Sequence, residues 1–212
     1  MIDSRFLKIV SALRSANLSE REARAEQSYL DEIANRLQRG EPFQYVIGMS
    51  RFAGRCYHVA PDVLIPRPET EELVEWVVTD SKDAAPFSLL DAGCGSGCIA
   101  ISLALTLGQA RVSAWDISAE ALNIARQNAE TLHAEVSFQQ ADMLSSNASF
   151  DIIVSNPPYV RQSERSEMSF QVLDYEPHQA LFVPDEDPLL FYHALARLGA
   201  NSQAVYAEIN EN

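Results

Sequence analysis

Apolar side chains recur three or four positions apart in the first forty residues, a spacing typical of helices. The first series lies within residues 2–14. A second helix is predicted after Ser19, which forms an S-x-x-E capping box with Glu22. The apolar side chains of Tyr29, Ile33 and Leu37 continue one face of this second helix until Gly40. We therefore expect a helical segment over residues 1–41.

Prolines and glycines interrupt the next stretch of the chain. Two β-prone segments, residues 44–47 and 51–59, predict a β-hairpin linker over residues 42–65. The sequence Ile65-Pro66-Arg67-Pro68 is expected to be extended, because each proline also restricts the residue before it. A helix should follow, with inward-facing side chains from Leu73, Trp76 and Val77.

From Pro86 onward, strand and helix patterns alternate. Strands are predicted at residues 88–91, 111–116, 136–140, 150–155 and 203–209. Helices are predicted at residues 99–107, 119–132 and 188–198. This alternation is typical of βαβ units, which build a mainly parallel sheet with helices on both faces. Residues 66–212 are therefore predicted to form a doubly wound, Rossmann-like α/β domain.

Composition narrows the possible functions. The 212 residues carry 16 basic and 30 acidic side chains, a net charge of -14. Nucleic-acid binding depends on neutralising phosphates, so this charge disfavours it. The longest apolar run, residues 99–107, is too short to span a bilayer, and the N-terminus lacks the layout of a secretory signal. Three cysteines without a C-x-x-C pair predict no disulfide framework and no metal site, and favour the cytoplasm.

A glycine-rich turn follows the first predicted strand of this α/β domain. It reads Asp91-Ala-Gly-Cys-Gly-Ser-Gly97, and glycine lets the backbone turn tightly and approach a ligand. Asp116 ends the next strand, where a carboxylate can accept hydrogen bonds from ribose hydroxyls. An acid at position 91 suits the positive amino group of S-adenosylmethionine better than a pyrophosphate. The turn therefore predicts a nucleoside ligand, although such a motif alone is weakly specific.

A second motif, Asn156-Pro157-Pro158-Tyr159, follows the predicted strand at 150–155. The amide oxygen of Asn156 and the carbonyl of Pro157 can accept the two N–H bonds of a planar -NH2 group, and Tyr159 can stack on it. The prolines stiffen the loop. Such an arrangement would direct the nitrogen lone pair of an amide or exocyclic amine toward a methyl donor.

These two motifs together resemble class I S-adenosylmethionine-dependent methyltransferases that act on amino groups. More narrowly, four stretches of the chain are similar to the HemK/PrmC family of protein-(glutamine-N5) methyltransferases. They are residues 43–48, 63–71, 175–177 and 180–182. That family methylates the glutamine side-chain amide in the Gly-Gly-Gln motif of class 1 peptide chain release factors. The resemblance runs from about residue 42 to residue 209, which is most of the chain.

The resemblance implies a role for each matching residue. S-adenosylmethionine would be held by Asp91, Gly93, Cys94, Gly95, Ser96, Gly97, Asp116, Asp142, Met143 and Asn156. The substrate amide would be held by Asn156, Pro157, Pro158 and Tyr159. The implied catalytic residues are Asn156, Pro157 and Tyr159. Arg67 and Glu69 are expected at the mouth of the site, with a structural ion pair as the other interpretation of Arg67. The implied partner is a class 1 release factor. Direct binding to nucleic acid or to a membrane is not expected.

Two other functions stay open from the sequence. The same proline-rich loop would fit the amino group of adenine in DNA or RNA, against which the acidic charge argues. A nucleotide-binding module without catalysis would bind the cofactor and transfer nothing.

The resemblance also implies more chain at both ends, so we expect a fragment. Its last strand, residues 203–209, would be an exposed edge that lowers stability and favours self-association. The apolar side chains expected beside this edge are Val205, Tyr206 and Ile209.

Overall fold

The computed structural model describes residues 20–209, with side chains from residue 27 onward. The helix predicted within residues 2–14 and the capping box of Ser19 and Glu22 lie outside this description. The chain divides into two compact units, of which the first ends at Ile47 and the second begins at Gly48. None of the described helices is both long and apolar enough to cross a membrane.

The first unit contains helices α1 (Glu20–Gln38) and α2 (Phe43–Ile47). Helix α1 was expected, but Tyr29 on it is 52% exposed and Leu30 is the buried residue instead. The β-strand predicted at residues 44–47 is wrong, because these residues belong to α2. Helix α2 begins where Tyr45 N donates to the Pro42 carbonyl at 3.0 Å. The Arg36 guanidinium donates to the Tyr45 carbonyl at 3.2 Å and pairs with Glu41, which joins the two helices.

A β-hairpin opens the second unit within residues 49–58, so a hairpin is present, but both of its strands lie within or next to the second predicted segment, residues 51–59. Strand β1 (Met49–Phe52) pairs antiparallel with β2 (Arg55–His58). Its inward rings, Phe52 and Tyr57, meet edge to face at 6.1 Å, and the Tyr57 hydroxyl is hydrogen-bonded to Ser102 Oγ at 2.8 Å. Asn128 Oδ1 accepts a hydrogen bond from His58 N at 2.6 Å, which fastens the end of the hairpin.

Helix α3 (Pro68–Ser81) follows an extended Arg67, whose φ and ψ are -98° and 143°. The prolines therefore have the predicted effect on the chain before the helix. Leu73 and Val77 are buried in the core, but Trp76 is 58% exposed, so its predicted inward orientation is wrong. The Trp76 ring lies against Tyr206 instead, with ring centres 5.4 Å apart.

The remaining chain builds a five-stranded parallel sheet. The described residues of this part contain seven strands, five of which form the sheet. They are β3 (Phe87–Ala92), β4 (Ala110–Asp116), β5 (Val136–Gln140), β6 (Ile152–Ser155), β7 (Val160–Arg161), β8 (Phe182–Val183) and β9 (Ala204–Ala207). The sheet order is β5-β4-β3-β6-β9, and β7 pairs separately with β8. The helices are α4 (Cys98–Thr106), α5 (Ala119–Leu132), α6 (Phe170–Tyr175) and α7 (Leu190–Leu198). Every pair of neighbours in the large sheet is parallel.

The core lies on both faces of this sheet, as a doubly wound fold requires. Alternate residues of β3 face opposite sides: Leu89 belongs to one buried cluster and Leu90 to another. The cluster around Leu89 includes residues of α3, α4 and α5, whereas the one around Leu90 includes Leu195 of α7. The predicted α/β architecture is thus confirmed. Because the strands are parallel, the loops after β3, β4 and β6 meet at one edge of the sheet, where open α/β folds bind ligands.

Strand β9 lies at the edge of the described sheet, next to β6. Val205 and Ile209 are exposed, as expected. Tyr206 is 9% exposed, and its hydroxyl donates to Asp80 Oδ2 at 2.9 Å. Tyr206 therefore lies at the edge strand, as expected, but is buried there.

Candidate active site

A cavity of about 470 Å³ opens at the carboxyl edge of the sheet. Its volume lies in the range of small-molecule sites. Its wall comes from the segment before α3, the loops after β3, β4, β5 and β6, and the residues before β8. The lining residues predicted from sequence are Arg67, Gly93, Cys94, Gly95, Ser96, Asp116, Asp142, Met143, Asn156 and Pro158. Five other predicted residues, Glu69, Asp91, Gly97, Pro157 and Tyr159, do not line it.

The glycine turn forms the floor of the cavity. Gly95 has a φ of +52°, and a Cβ added there would meet no atom within 4 Å. The backbone at Gly95 is therefore open to a ligand. Gly97 has a structural function instead, because an added Cβ would lie 3.1 Å from Ala125 Cβ and 3.1 Å from Ile101 Cδ1. With a φ of +79°, Gly97 lets α4 begin immediately beneath the turn and pack closely on α5.

Asp116, at the end of β4, connects the glycine turn to the segment that begins α5. Its Oδ2 accepts a hydrogen bond from Gly95 N at 2.8 Å, and its Oδ1 accepts one from Ser118 N at 2.9 Å. Burial raises the pKa of this carboxyl above its usual range, while the backbone donors oppose that rise. A carboxylate has about four acceptor positions, so Asp116 retains acceptor capacity for a hydroxyl group beyond its backbone donors.

Asp91 lies beneath the turn and does not face the cavity. Its side chain is fully buried, and its Oδ2 accepts a hydrogen bond from Ala100 N at 3.0 Å in the first turns of α4. The other oxygen, Oδ1, has no hydrogen-bond partner among the described residues. Burial raises the pKa of Asp91 to about 7. The expectation that Asp91 contacts a ligand directly is therefore not supported by its position.

The loop after β5 forms a mixed polar and apolar wall. Asp142 Oδ1 accepts a hydrogen bond from Leu144 N at 2.8 Å, which closes a tight turn. Met143 and Leu144 line the cavity, with Ile117 also in the wall. Arg197 of α7 donates to the carbonyls of Met143 and Leu144 at 2.8 Å and 2.7 Å. The sequence motifs gave no signal for Arg197, because it lies far along the chain and supports only backbone atoms.

Asn156 begins the loop after β6 and faces the cavity. Its Nδ2 donates to Thr70 Oγ1 at 3.0 Å. No described residue donates a hydrogen bond to its Oδ1. Pro158 lines the cavity, whereas the Pro157 side chain is buried. The structure thus brings Asn156 and Pro158 together with the glycine turn, as the sequence predicted.

Tyr159 differs from the expectation that its ring faces the ligand. It is absent from the cavity wall, and its hydroxyl donates to Glu208 Oε1 at 3.2 Å. Burial raises the pKa of Tyr159 to about 12, and the nearby Glu208 carboxyl adds to this effect. The Tyr159 phenol is therefore a protonated donor that anchors the loop, and a stacking role for it stays a prediction.

Arg67 is both at the site mouth and in an ion pair. It lines the cavity, and its Nη2 lies 2.6 Å from Oε1 of Glu176. The Glu176 side chain is 2% exposed, and its Oε2 accepts a hydrogen bond from Ile65 N at 3.3 Å. Glu69 is exposed in the first turn of α3 and does not line the cavity, so its predicted place at the mouth is wrong. The favourable position of an acid at a helix N-terminus accounts for Glu69.

The cysteines beside the turn are packing residues in this structure. All three cysteines are free, and Cys94 and Cys98 are buried. Burial raises the pKa of Cys98 to about 12, so its thiol is protonated at neutral pH. Within residues 20–209, no group of three or more His, Cys, Asp or Glu side chains is arranged to hold a metal ion.

S-adenosylmethionine fits the chemistry of this cavity. Asp116 offers free acceptor positions for ribose hydroxyls, and Gly95 leaves open space beside the backbone. Ile117 and Met143 provide apolar surface for a purine ring. Asp62 and Asp142 add acidic groups to the wall, which suit a ligand that carries positive charge.

Comparison with known proteins identifies relatives of the chain. A family model described as the methyltransferase small domain matches residues 71–181. A release factor glutamine methyltransferase of Bacteroides thetaiotaomicron is 54% identical over 194 residues, covering 88% of this chain and 69% of that protein. One of Flavobacterium psychrophilum is 45% identical over 191 residues, covering 85% of this chain and 67% of that protein.

Among solved structures, the Pyrococcus abyssi tRNA (uracil-54, C5)-methyltransferase in complex with S-adenosyl-L-homocysteine matches with a TM-score of 0.46 and 20% identity. The match covers 71% of this chain and 37% of that one. The residues matched by the family model include both the glycine turn and the Asn156–Tyr159 loop.

Proposed function

Because the chain belongs to the release factor glutamine methyltransferase family, we propose that it methylates a glutamine side-chain amide in class 1 peptide chain release factors. The glutamine is the one in their Gly-Gly-Gln motif, and the methyl donor is S-adenosylmethionine. The observation that carries the proposal is the position of Asn156. Its amide lies in the same cavity as the glycine turn and Asp116, with Oδ1 free to accept a hydrogen bond.

S-adenosylmethionine supplies an electrophilic methyl group on its sulfonium. The turn from Gly93 to Ser96 would hold the methionine part, and Asp116 would accept hydrogen bonds from the ribose hydroxyls. Asp142 and Met143 would border the adenine. Asp91 would act from below, by holding the start of α4, because its side chain is buried under the turn.

The substrate amide is activated by orientation. An amide nitrogen is a poor nucleophile because its lone pair is delocalised into the carbonyl group. Asn156 Oδ1 and the Pro157 carbonyl would accept the two N–H bonds, which fixes the plane of the amide and leaves one face of the nitrogen toward the cavity. Transfer would form the nitrogen–methyl bond and break the carbon–sulfur bond of the sulfonium, which leaves S-adenosylhomocysteine, and the methylated nitrogen would release one of its protons to solvent. Correct positioning supplies a large part of such a rate enhancement, so no residue is assigned as a dedicated general base.

The charge of the cavity wall supports a protein substrate over nucleic acid. Three aspartates line the cavity, namely Asp62, Asp116 and Asp142. Arg67, the one basic residue that the described part of the chain contributes to the wall, is already paired with Glu176. A phosphate backbone needs unpaired basic groups, so nucleic acid would bind weakly here. The free cysteines favour the reducing cytoplasm as the place of action.

A competition assay tests this proposal. Radiolabelled S-adenosylmethionine is incubated with the chain, a class 1 release factor and double-stranded and single-stranded nucleic acids together. We expect label on the release factor alone. Label on nucleic acid would favour an adenine methyltransferase. Binding of S-adenosylhomocysteine by calorimetry without any transfer would favour a non-catalytic nucleotide-binding module, and binding of NAD instead would remove the cofactor assignment.

A further inference from the structure

We infer that Thr70 and Glu208 are positioning residues that determine which end of the Asn156 amide faces the substrate. This inference rests on the function proposed above. Thr70 lies in the first turn of α3, is 2% exposed and lines the cavity. Glu208 follows β9 at the same edge of the sheet. Neither residue belongs to the glycine turn or to the Asn156–Tyr159 loop.

The chemistry of Glu208 fixes the direction of the hydrogen bonds. A carboxylate only accepts, so the Thr70 hydroxyl donates its single proton to Glu208 Oε2, 2.6 Å away. Toward Asn156, Thr70 Oγ1 is then left as an acceptor only. The Asn156 atom 3.0 Å from it must therefore carry protons, which identifies it as Nδ2. Asn156 Oδ1 consequently points away from Thr70 and is left for the substrate.

The orientation matters because the substrate group is itself a donor. The -NH2 of a glutamine amide presents two N–H bonds, which need acceptors in the site. If Asn156 were turned over, its own -NH2 would face these N–H bonds, and a buried donor would lose its partner. An unsatisfied polar group of this kind is costly, so the reversed amide would hold the substrate poorly.

Glu208 is itself held in place on several sides. Its Oε1 accepts a hydrogen bond from the Tyr159 hydroxyl at 3.2 Å, so the carboxylate joins both ends of the Asn156–Tyr159 loop. Its backbone N donates to the Ser155 carbonyl at the end of β6, at 3.1 Å. A separate hydrogen bond from the Tyr192 hydroxyl to the Glu208 backbone carbonyl, at 3.0 Å, involves neither carboxylate oxygen. The group that sets the direction of the hydrogen bonds is therefore fixed relative to β6.

Four variants separate this directional role from simple packing. Thr70→Val removes the hydroxyl at nearly constant volume, and Thr70→Ser keeps it. Glu208→Gln keeps the shape, but its new -NH2 can donate to Thr70, which frees the Thr70 proton for Asn156 Oδ1. The matched control is Tyr192→Phe, which removes a hydrogen bond to the Glu208 backbone and leaves the carboxylate unchanged.

Nuclear magnetic resonance of the ¹⁵N-labelled chain without substrate tests the orientation directly. The Asn156 side-chain signals are assigned by their disappearance in Asn156→Asp. We expect one Asn156 Nδ2 proton to exchange with water slowly in three chains: the wild type, Thr70→Ser and Tyr192→Phe. In Thr70→Val and Glu208→Gln, exchange of this proton should be about tenfold faster. Equal exchange in the wild type, Thr70→Val and Glu208→Gln would overturn the inference.

Kinetics with a release factor test the consequence for catalysis. We expect kcat to fall about 10- to 100-fold in Thr70→Val and Glu208→Gln, with the KM for S-adenosylmethionine changed by less than about threefold. Thr70→Ser and Tyr192→Phe should stay close to the wild type. The double variant Thr70→Val/Glu208→Gln should be no slower than the slower single variant, because both act through one chain of hydrogen bonds. The inference would be overturned if the two single variants' losses of kcat multiplied in the double variant. It would also be overturned if the KM for S-adenosylmethionine rose while kcat stayed constant.

The two experiments also distinguish the inference from the proposed function. A wild-type chain that methylates no release factor refutes the function, while the exchange measurement still decides the orientation of Asn156. If Thr70→Val fails to fold, as judged by its thermal melt, Glu208→Gln and Thr70→Ser decide the question alone.

Discussion

The backbone amide of Gly95 donates a hydrogen bond to the carboxylate of Asp116 at 2.8 Å. This bond connects the turn after β3 to the end of β4, two neighbouring strands of the sheet. Asp116 therefore shapes the glycine turn and, through its remaining lone pairs, offers acceptors to a ligand. Under the proposed function, this one side chain would connect the conformation of the turn to cofactor binding.

Replacing Asp116 should weaken cofactor binding. We expect Asp116→Ala to reduce the affinity for S-adenosylhomocysteine by about 1.5–3 kcal/mol, the usual contribution of hydrogen bonds to a charged group. Isothermal titration calorimetry measures this change. Asp151→Ala is a matched control, because Asp151 also accepts a backbone hydrogen bond, from Ser88 N at 2.7 Å, but does not line the cavity. An unchanged dissociation constant for Asp116→Ala would remove this residue from the site.

The two structural roles of glycine in the turn should separate by mutation. At Gly97 an added Cβ combines a left-handed backbone with contacts of 3.1 Å, so Gly97→Ala should lower the free energy of unfolding by about 1–3 kcal/mol. At Gly54 the backbone is also left-handed, but an added Cβ would meet no atom within 4 Å, so Gly54→Ala should lower the free energy of unfolding by about 1–2 kcal/mol. Gly108→Ala has neither and should be nearly neutral. Urea denaturation measures all three, and a Gly97→Ala chain that loses no more stability than Gly54→Ala would contradict the packing argument.

Asp91 should make stability depend on pH. Burial raises its pKa to about 7, above the value of about 4 expected in the unfolded chain. A carboxyl group whose pKa is higher in the folded chain contributes to the free energy of unfolding. This contribution is fully present below the pKa of the unfolded chain and is lost as pH rises through the pKa of the folded chain. The side chain in Asp91→Asn does not ionise, so this variant should not lose stability in this way as pH rises. We expect the melting temperature of the wild type, relative to Asp91→Asn, to fall by roughly 5 °C or more between about pH 4 and pH 8.

Thermal melts of both chains across this range check the Asp91 prediction. A constant difference between the wild type and Asp91→Asn would mean that Asp91 does not titrate there. Calorimetry with S-adenosylhomocysteine on the same samples tests the ligand contact predicted from sequence. A large loss of affinity in Asp91→Asn would restore that contact.

The pair of Arg67 and Glu176 should stabilise the wall of the cavity. Removing Arg67 leaves the buried Glu176 carboxylate without its ion-pair partner, so Arg67→Ala should lower the free energy of unfolding by about 1–3 kcal/mol. Arg161→Ala is the matched control, because the pair of Arg161 and Glu164 is exposed and should contribute nothing measurable. Urea denaturation compares the two, and equal effects would show that burial of Glu176 is unimportant.

The sequence predicted the sheet well because its signals are local. Alternating strand and helix patterns fix a parallel α/β fold, and helix α5 and strand β5 have the predicted bounds of 119–132 and 136–140. The errors arise where a contact with another part of the chain overrides the local pattern. Residues 44–47 have strand-forming side chains but form a helix held by Arg36, and Trp76 packs on the surface against Tyr206.

The site was only partly predictable, for a different reason. The turn and the Asn156–Tyr159 loop are continuous motifs, so the sequence reveals them. Thr70 and Glu208 are 138 positions apart, and only the placement of β9 beside β6 brings them together near Asn156. A contact of that kind leaves no pattern in a single sequence. Asp91 was misplaced because spacing alone does not indicate whether a side chain points into the cavity or under it.

Asn156 should be the most sensitive residue for methyl transfer. We expect Asn156→Ala to keep its melting temperature and to reduce kcat about 100-fold or more, since a small displacement of the reacting group has an effect of that size. Affinity for S-adenosylhomocysteine should fall much less than kcat. Stopped-time assays with labelled S-adenosylmethionine measure the rate, and an Asn156→Ala chain within a few-fold of the wild type would contradict the orienting role.

Localisation of the methyl group on the product tests the central claim most directly. A class 1 release factor is incubated with S-adenosylmethionine and the wild-type chain, and its peptides are sequenced by tandem mass spectrometry. A second release factor, with glutamate in place of the Gly-Gly-Gln glutamine, has the same shape without the -NH2 group. The account predicts one added methyl group on the glutamine side chain and none on the glutamate protein. A methyl group at another residue, or equal methylation of both proteins, would contradict it.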